Sequence, residues 1–100
     1  MTKDEAKKLL RENFDSIKNF GVKRIGFFGS VSRNEANSES DVDIYVEFEE
    51  GKATLDNYLN LSDYLEKLFG RPVDLLTKYS LETMRVKSVK DKIAKDLIYV

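Results

Sequence analysis

Asp41-Val42-Asp43-Ile44-Tyr45-Val46-Glu47-Phe48 is the stretch around which the chain is organised. Asp41, Asp43, Tyr45 and Glu47 share one parity, and Val42, Ile44, Val46 and Phe48 share the other. This period of two is that of a half-buried β-strand. Successive strand side chains point to opposite faces, so Asp41 and Asp43 project from the same face, roughly 6.6 Å apart along the backbone. Two carboxylates placed in this way can hold divalent cations between them. Without such compensation they repel each other, and one of them is expected to keep a proton at neutral pH.

Upstream, the apolar run Ile25-Gly26-Phe27-Phe28 leads directly into Gly29-Ser30-Val31-Ser32-Arg33. A strand that stops at Gly29-Ser30 and turns into a short helix offers unpaired backbone N–H groups, a serine hydroxyl and the positive end of a helix. Together these suit a phosphate. Phosphate on one wall and metal-binding carboxylates on the other outline a nucleoside triphosphate site. Taken singly, a Gly-Ser pair is most often a turn, and an Asp-x-Asp is most often surface polarity or a cap. The specificity lies in their combination at this spacing and parity.

That combination, Gly29-Ser30-x-x-Arg33 followed by Ser40-Asp41-x-Asp43, resembles the signature of nucleotidyltransferases of the DNA polymerase β superfamily, in particular the minimal nucleotidyltransferases. The resemblance spans nearly the whole chain. It implies transfer of a nucleoside monophosphate from a nucleoside triphosphate, expected to be AMP from ATP, to an acceptor hydroxyl with release of pyrophosphate. Asp41 and Asp43 are then the catalytic carboxylates that hold two metal ions. Gly29, Ser30, Arg33 and Ser40 are then the nucleotide-binding residues, although Arg33 reads equally well as a helix-surface ion pair. One departure is Asn34, which stands where the family commonly has a glycine. Asparagine enters the left-handed region more readily than other residues, so the turn is expected to survive.

A third carboxylate stands out downstream. Arg71-Pro72 opens the apolar run Val73-Asp74-Leu75-Leu76, and a carboxylate inside a central strand is costly unless it is paired, coordinated or able to reach water. Asp74 is either a salt-bridge partner of a lysine or arginine, or the third metal-site carboxylate that the resemblance implies, beside Asp41 and Asp43 if the two strands are neighbours. The second reading is the one adopted here.

One hundred residues, 41% of them hydrophobic, make a single domain over residues 1–100 with one small core. The absence of cysteine removes disulfides and thiolate chemistry. The absence of histidine removes imidazole ligands and the Ser-His-Asp triad. With oxygen ligands only, the expected metal is hard, Mg²⁺ or Mn²⁺. No run approaches the ~20 apolar residues of a membrane span. The N-terminus lacks the apolar core of a signal peptide, so a soluble, cytoplasmic protein is expected. Residues 1 to 34 carry eight basic and four acidic side chains, residues 35 to 77 carry three and eleven, and residues 78 to 100 carry six and three. The acidic block holds the proposed metal face and argues against direct nucleic-acid binding.

In chain order, Thr2-Lys3-Asp4-Glu5 reads as a capping box. Ala6, Leu9, Leu10, Phe14, Ile17 and Phe20 then follow as one amphipathic helix stopped by Gly21. A strand from about Lys23 to Phe28 contains Gly26, which points to a close backbone or ligand approach. Residues 35–40 have loop composition, and Glu49 to Lys52 form a turn. A second long helix starts at Thr54 and closes at Gly70. In the last segment Ser80 and Ser88 are candidate N-caps, and Leu97 to Val100 form a candidate short strand. The fold class is α/β (α+β): a small mixed sheet with helices packed on one face, the polymerase β-like arrangement.

Several alternatives fail on their own chemistry. As a calcium loop, Asp41-x-Asp43 would need an oxygen ligand at Tyr45 and a glycine at Val46. No P-loop or dinucleotide-binding glycine pattern is present, and a two-carboxylate glycosidase needs a longer sugar cleft. A chain this short cannot read much of a substrate unaided. Minimal nucleotidyltransferases are typically paired with a small all-helical HEPN toxin as the antitoxin of a type VII pair, and can adenylylate a tyrosine of that toxin. The RNase motif of HEPN proteins needs a histidine, so this chain would be the nucleotidyltransferase half. A non-catalytic nucleotide-binding antitoxin acting by occlusion, and a stand-alone transferase for small molecules, are the competing classes; a homo-oligomer stays open. The enzyme reading is preferred because all three carboxylates and Gly29-Ser30 occur together.

Overall fold

The computed structural model describes all residues, 1–100. Thr2 caps α1 (Lys3–Glu12) by accepting a hydrogen bond from the Glu5 N–H, as the capping box predicts. The single N-terminal helix read from the apolar spacing is in fact two. Asn13 leaves the helical region, its side-chain amide donates to the Leu9 carbonyl at 2.8 Å, and the chain restarts as α2 (Phe14–Lys18). Asparagine competes locally for backbone hydrogen bonds in this way. The apolar stripe continues across the break because both pieces cover the same sheet.

The rest of the order is β1 (Val22–Phe28), α3 (Gly29–Ser32), β2 (Val42–Phe48), α4 (Leu55–Phe69), β3 (Val73–Thr77), α5 (Lys78–Glu82), α6 (Lys87–Asp96) and β4 (Ile98–Tyr99). The sheet order is β3-β2-β1-β4, with β1 antiparallel to β2 and β4, and β2 parallel to β3. Parallel neighbours cannot be joined by a tight turn, and α4 provides the crossover. Thr54 caps α4 through the Asn57 N–H, and Gly70 ends it in the left-handed conformation. Ala6, Leu10, Ile17, Leu61 and Leu65 from α1, α2 and α4 pack on Ile25, Phe27, Val42, Ile44 and Val46, all ten of them fully buried. These are the apolar parity of β1 and β2, so the pattern of two places the core where the sequence predicts.

Three local expectations shift. β3 is an edge strand, so Asp74 reaches solvent and escapes the cost assigned to a central position. Ser80 and Ser88 lie inside helices rather than at their caps. Thr77 caps α5 by accepting from the Ser80 N–H, and α6 begins after Val86. The predicted last strand is present but shortened to two residues, which pair with Gly26 and Phe27. A Cβ on Gly26 would sit 2.6 Å from the Ile98 carbonyl oxygen. The glycine admits the β4 backbone, one of the two approaches expected of it.

Candidate active site

Strand register assembles the site. Phe28 of β1 is opposite Asp43 of β2, and Asp43 is opposite Asp74 of β3. Residues paired across strands share a face, so the two carboxylates stand side by side on the face away from the core. Asp41 lies one residue before β2, exposed at its entrance rather than within the strand. The entrance is tied down by Arg71, whose guanidinium donates to the Asn37 carbonyl at 3.1 Å, and by the Val42 N–H donating to the Pro72 carbonyl at 3.0 Å. In the same loop the Ser40 hydroxyl accepts from the Asn37 N–H at 3.0 Å and donates to the Asn37 side chain at 3.3 Å.

The Gly29–Ser32 turn packs against the same carboxylate. Gly29 opens α3 at φ 72°, and a Cβ there would overlap Asp43 Oδ2. Two demands coincide at Gly29, a left-handed backbone and a carboxylate at van der Waals distance. No side chain caps α3, and the Ser30 hydroxyl makes no hydrogen bond within the chain. The turn closes through the Arg33 N–H to the Gly29 carbonyl at 3.2 Å and the Glu35 N–H to the Ser30 carbonyl at 2.8 Å. Asn34 does occupy the left-handed region, at φ 58°, and its side-chain oxygen accepts from the Lys3 N–H at 2.8 Å. Arg33 forms ion pairs with Glu35 at 3.0 Å and with Asp96 at 2.5 Å.

Half-burial raises the Asp43 pKa above the ordinary carboxylate range. The negative charges of Asp74 and Asp41 raise it further, while Arg33 opposes the rise. An isolated pair of this kind is unfavourable when fully ionised. The donor set fits a hard divalent cation, being all carboxylate oxygen beside a turn suited to phosphate. Three acidic side chains do not converge on one point: Asp43 and Asp74 adjoin, and Asp41 stands at the strand entrance.

The same face is dry further along β2. Tyr45 is buried, its hydroxyl donates to Glu47 at 2.8 Å, and Tyr99 of β4 packs edge-on against its ring. Arg24 stacks over Tyr99 at 3.4 Å. Burial, reinforced by the bond to Glu47, raises the Tyr45 phenol and keeps it neutral. The contacts of Asp96, Arg71 and Tyr99 were not legible in the sequence because each is made with a partner at least 31 residues away.

Residues 4–100 match the nucleotidyltransferase domain family. The chain belongs to this family. Among relatives of this nucleotidyltransferase, it is 45% identical over 101 residues to a Methanocaldococcus jannaschii protein named as a candidate protein adenylyltransferase, covering 99% of this chain and 98% of that one. It is also 45% identical over 94 residues to the protein adenylyltransferase MntA of Thermococcus cleftensis, covering 94% and 84%. A solved structure of a candidate minimal nucleotidyltransferase superposes with a TM-score of 0.76 at 28% identity, covering 98% and 95%. A fold likeness at 21% identity and a TM-score of 0.54, covering 97% and 66%, links it to the structure of a tri-AMPylated Shewanella oneidensis HEPN toxin in complex with an MNT antitoxin.

The raised Asp43 pKa has a testable sign. A carboxyl whose folded pKa exceeds its unfolded value contributes stability below the unfolded value, near pH 4, and that contribution is lost as pH rises through the folded value. In chelator, Asp43→Asn and Asp74→Asn should therefore melt at or above wild type at pH 7, with the gap narrowing toward pH 3.5. A large loss of stability in Asp74→Asn would mean instead that Asp74 supports the fold, and would remove it from the site.

Proposed function

We propose that this nucleotidyltransferase moves AMP from ATP to a hydroxyl of a protein partner, a tyrosine of a HEPN toxin, and so serves as its antitoxin. One observation carries the reading. The parallel β2–β3 register sets Asp43 beside Asp74 while the Gly29-Ser30 turn packs on Asp43, so phosphate and carboxylate walls adjoin. The relatives' names support protein adenylylation, and the antitoxin–toxin structure of the same fold supports the partner class.

In this reading the Gly29 and Ser30 backbone and the Ser30 hydroxyl bind the phosphates. Arg33 adds a charge-assisted contact from the end of the same turn, where its Nη2 has no partner within the chain. Asp41, Asp43 and Asp74 would hold two Mg²⁺ ions, which neutralise charge on the triphosphate and on the attacking and leaving oxygens. Asp74 also orients the acceptor proton. Beside it Phe28, Leu76, Met84 and Ile93 wall an apolar cleft. An aromatic ring whose single polar group meets Asp74 suits such walls, since an unpaired polar atom there would be costly.

Calorimetric titration of ATP with and without Mg²⁺, on wild type and an Asp41→Asn, Asp43→Asn double variant, tests the site. Tight binding is expected only for wild type with Mg²⁺. Equal affinity in all four cases would remove the proposed site.

A further inference from the structure

The phosphate turn is held from outside by a residue of α6. Asp96 lies at the last position of that helix, directly ahead of β4, and its side chain is only 14% exposed. Its Oδ2 accepts from Arg33 Nη1 at 2.5 Å, while Glu35, whose side chain is 62% exposed, accepts from Arg33 Nε at 3.0 Å. The two carboxylates take two edges of a planar fork and leave Nη2 without a partner inside the chain. Arg33 is also the residue whose backbone N–H closes α3 onto the Gly29 carbonyl. Its guanidinium is near enough to Asp43 to oppose the other charges acting there.

We propose that Asp96 is a positioning residue of the nucleotide site: through Arg33 it fixes the Gly29–Ser32 turn against α6 and holds the unpartnered Nη2 in place for an incoming triphosphate. Glu35 cannot do this alone. It is two residues from Arg33 and moves with the turn, whereas Asp96 belongs to a different part of the sheet assembly. An exposed ion pair contributes little to stability. Its effect is geometric instead: it fixes the orientation of a rigid, planar donor. The inference rests on the nucleotide-binding role proposed above for Gly29, Ser30 and Arg33.

The test is Mg²⁺-ATP affinity, measured well below the melting temperature, for wild type, Asp96→Asn, Asp96→Glu, Arg33→Lys and the Arg33→Lys, Asp96→Asn pair. Wild type must bind; if it does not, the site reading itself has failed. With binding established, Asp96→Asn should weaken it about tenfold and Asp96→Glu by less, since the charge is kept. The double variant should be no weaker than Arg33→Lys alone, because Asp96 acts through Arg33. Unchanged affinity in a folded Asp96→Asn, with or without a lowered melting point, would reduce the pair to a structural clasp and overturn the proposal. Tighter binding would overturn it as well, showing that Asp96 withholds Arg33 from the nucleotide. Should Asp96→Asn not fold, Arg33→Lys carries the test, with a similar loss expected and an unchanged affinity overturning it.

Discussion

Asp43→Asn is expected to abolish nucleotide transfer while leaving the fold intact. The proposed partner, incubated with ATP, Mg²⁺ and wild type, should gain one adenylyl group, the mass of AMP less one water, on a hydroxyl side chain; with Asp43→Asn it should gain none. Asparagine keeps the size of Asp43 beside Gly29 but supplies no charge for the cations proposed there to stabilise the reacting oxygens. Several kcal/mol of that stabilisation correspond to roughly three or more powers of ten in rate. The raised Asp43 pKa predicts the accompanying control, unfolding no earlier than wild type at neutral pH in chelator. Neutralisation by simple occlusion makes the opposite forecast. The variant would still protect against the partner, and intact-mass spectrometry would show the partner unmodified with both proteins.

The second large effect is structural and catalytic together. Gly29→Ala places a Cβ at φ 72°, which costs about 1–2 kcal/mol for an L-residue, and drives that Cβ into Asp43 Oδ2. Relief requires either unwinding of the turn or rotation of the carboxylate. A loss of about 2 kcal/mol or more lowers the melting temperature of a domain this size by roughly ten degrees. Because relief displaces either the phosphate turn or the carboxylate, ATP binding should fall as well, even at temperatures where the variant is folded. A variant that melts with wild type and binds ATP equally would mean that the turn is not packed on Asp43.

Much of this was legible in the chain. The alternation from Val42 to Phe48 fixes which face of β2 is buried, and the parity that buries Val42, Ile44 and Val46 sends Asp43 to the other face. Thr2, Thr54 and Gly70 cap their helices as local chemistry dictates. The placement of Asp74 beside Asp43 was conditional on β2 and β3 being neighbours, and the α4 crossover makes them so. What could not be read locally depends on distant partners. Tyr45 shares the polar parity, yet it is dry because a two-residue strand from the end of the chain covers it. Arg33 was ambiguous between ion pair and phosphate ligand, since its acidic partner Asp96 is 63 residues away. The break at Asn13 was hidden because apolar spacing reports a shared face and not an unbroken helix.

The way α6 is attached has a consequence for how the protein comes apart. No residue of α5 or α6 is buried, whereas α1, α2 and α4 each contribute to the core. Opening free energy follows buried apolar contact, so the molecule should contain two cooperative units, a deep one formed by the sheet with its three packed helices and a shallow one at residues 78–97. Native-state hydrogen exchange should show the amides of α6 exchanging through a subglobal opening, while those of β1 and β2 exchange only on global unfolding. The shallow unit carries Asp96, the proposed anchor of the Gly29–Ser32 turn. Nucleotide that binds only when this unit is closed will therefore slow exchange in α6, a helix it need not touch.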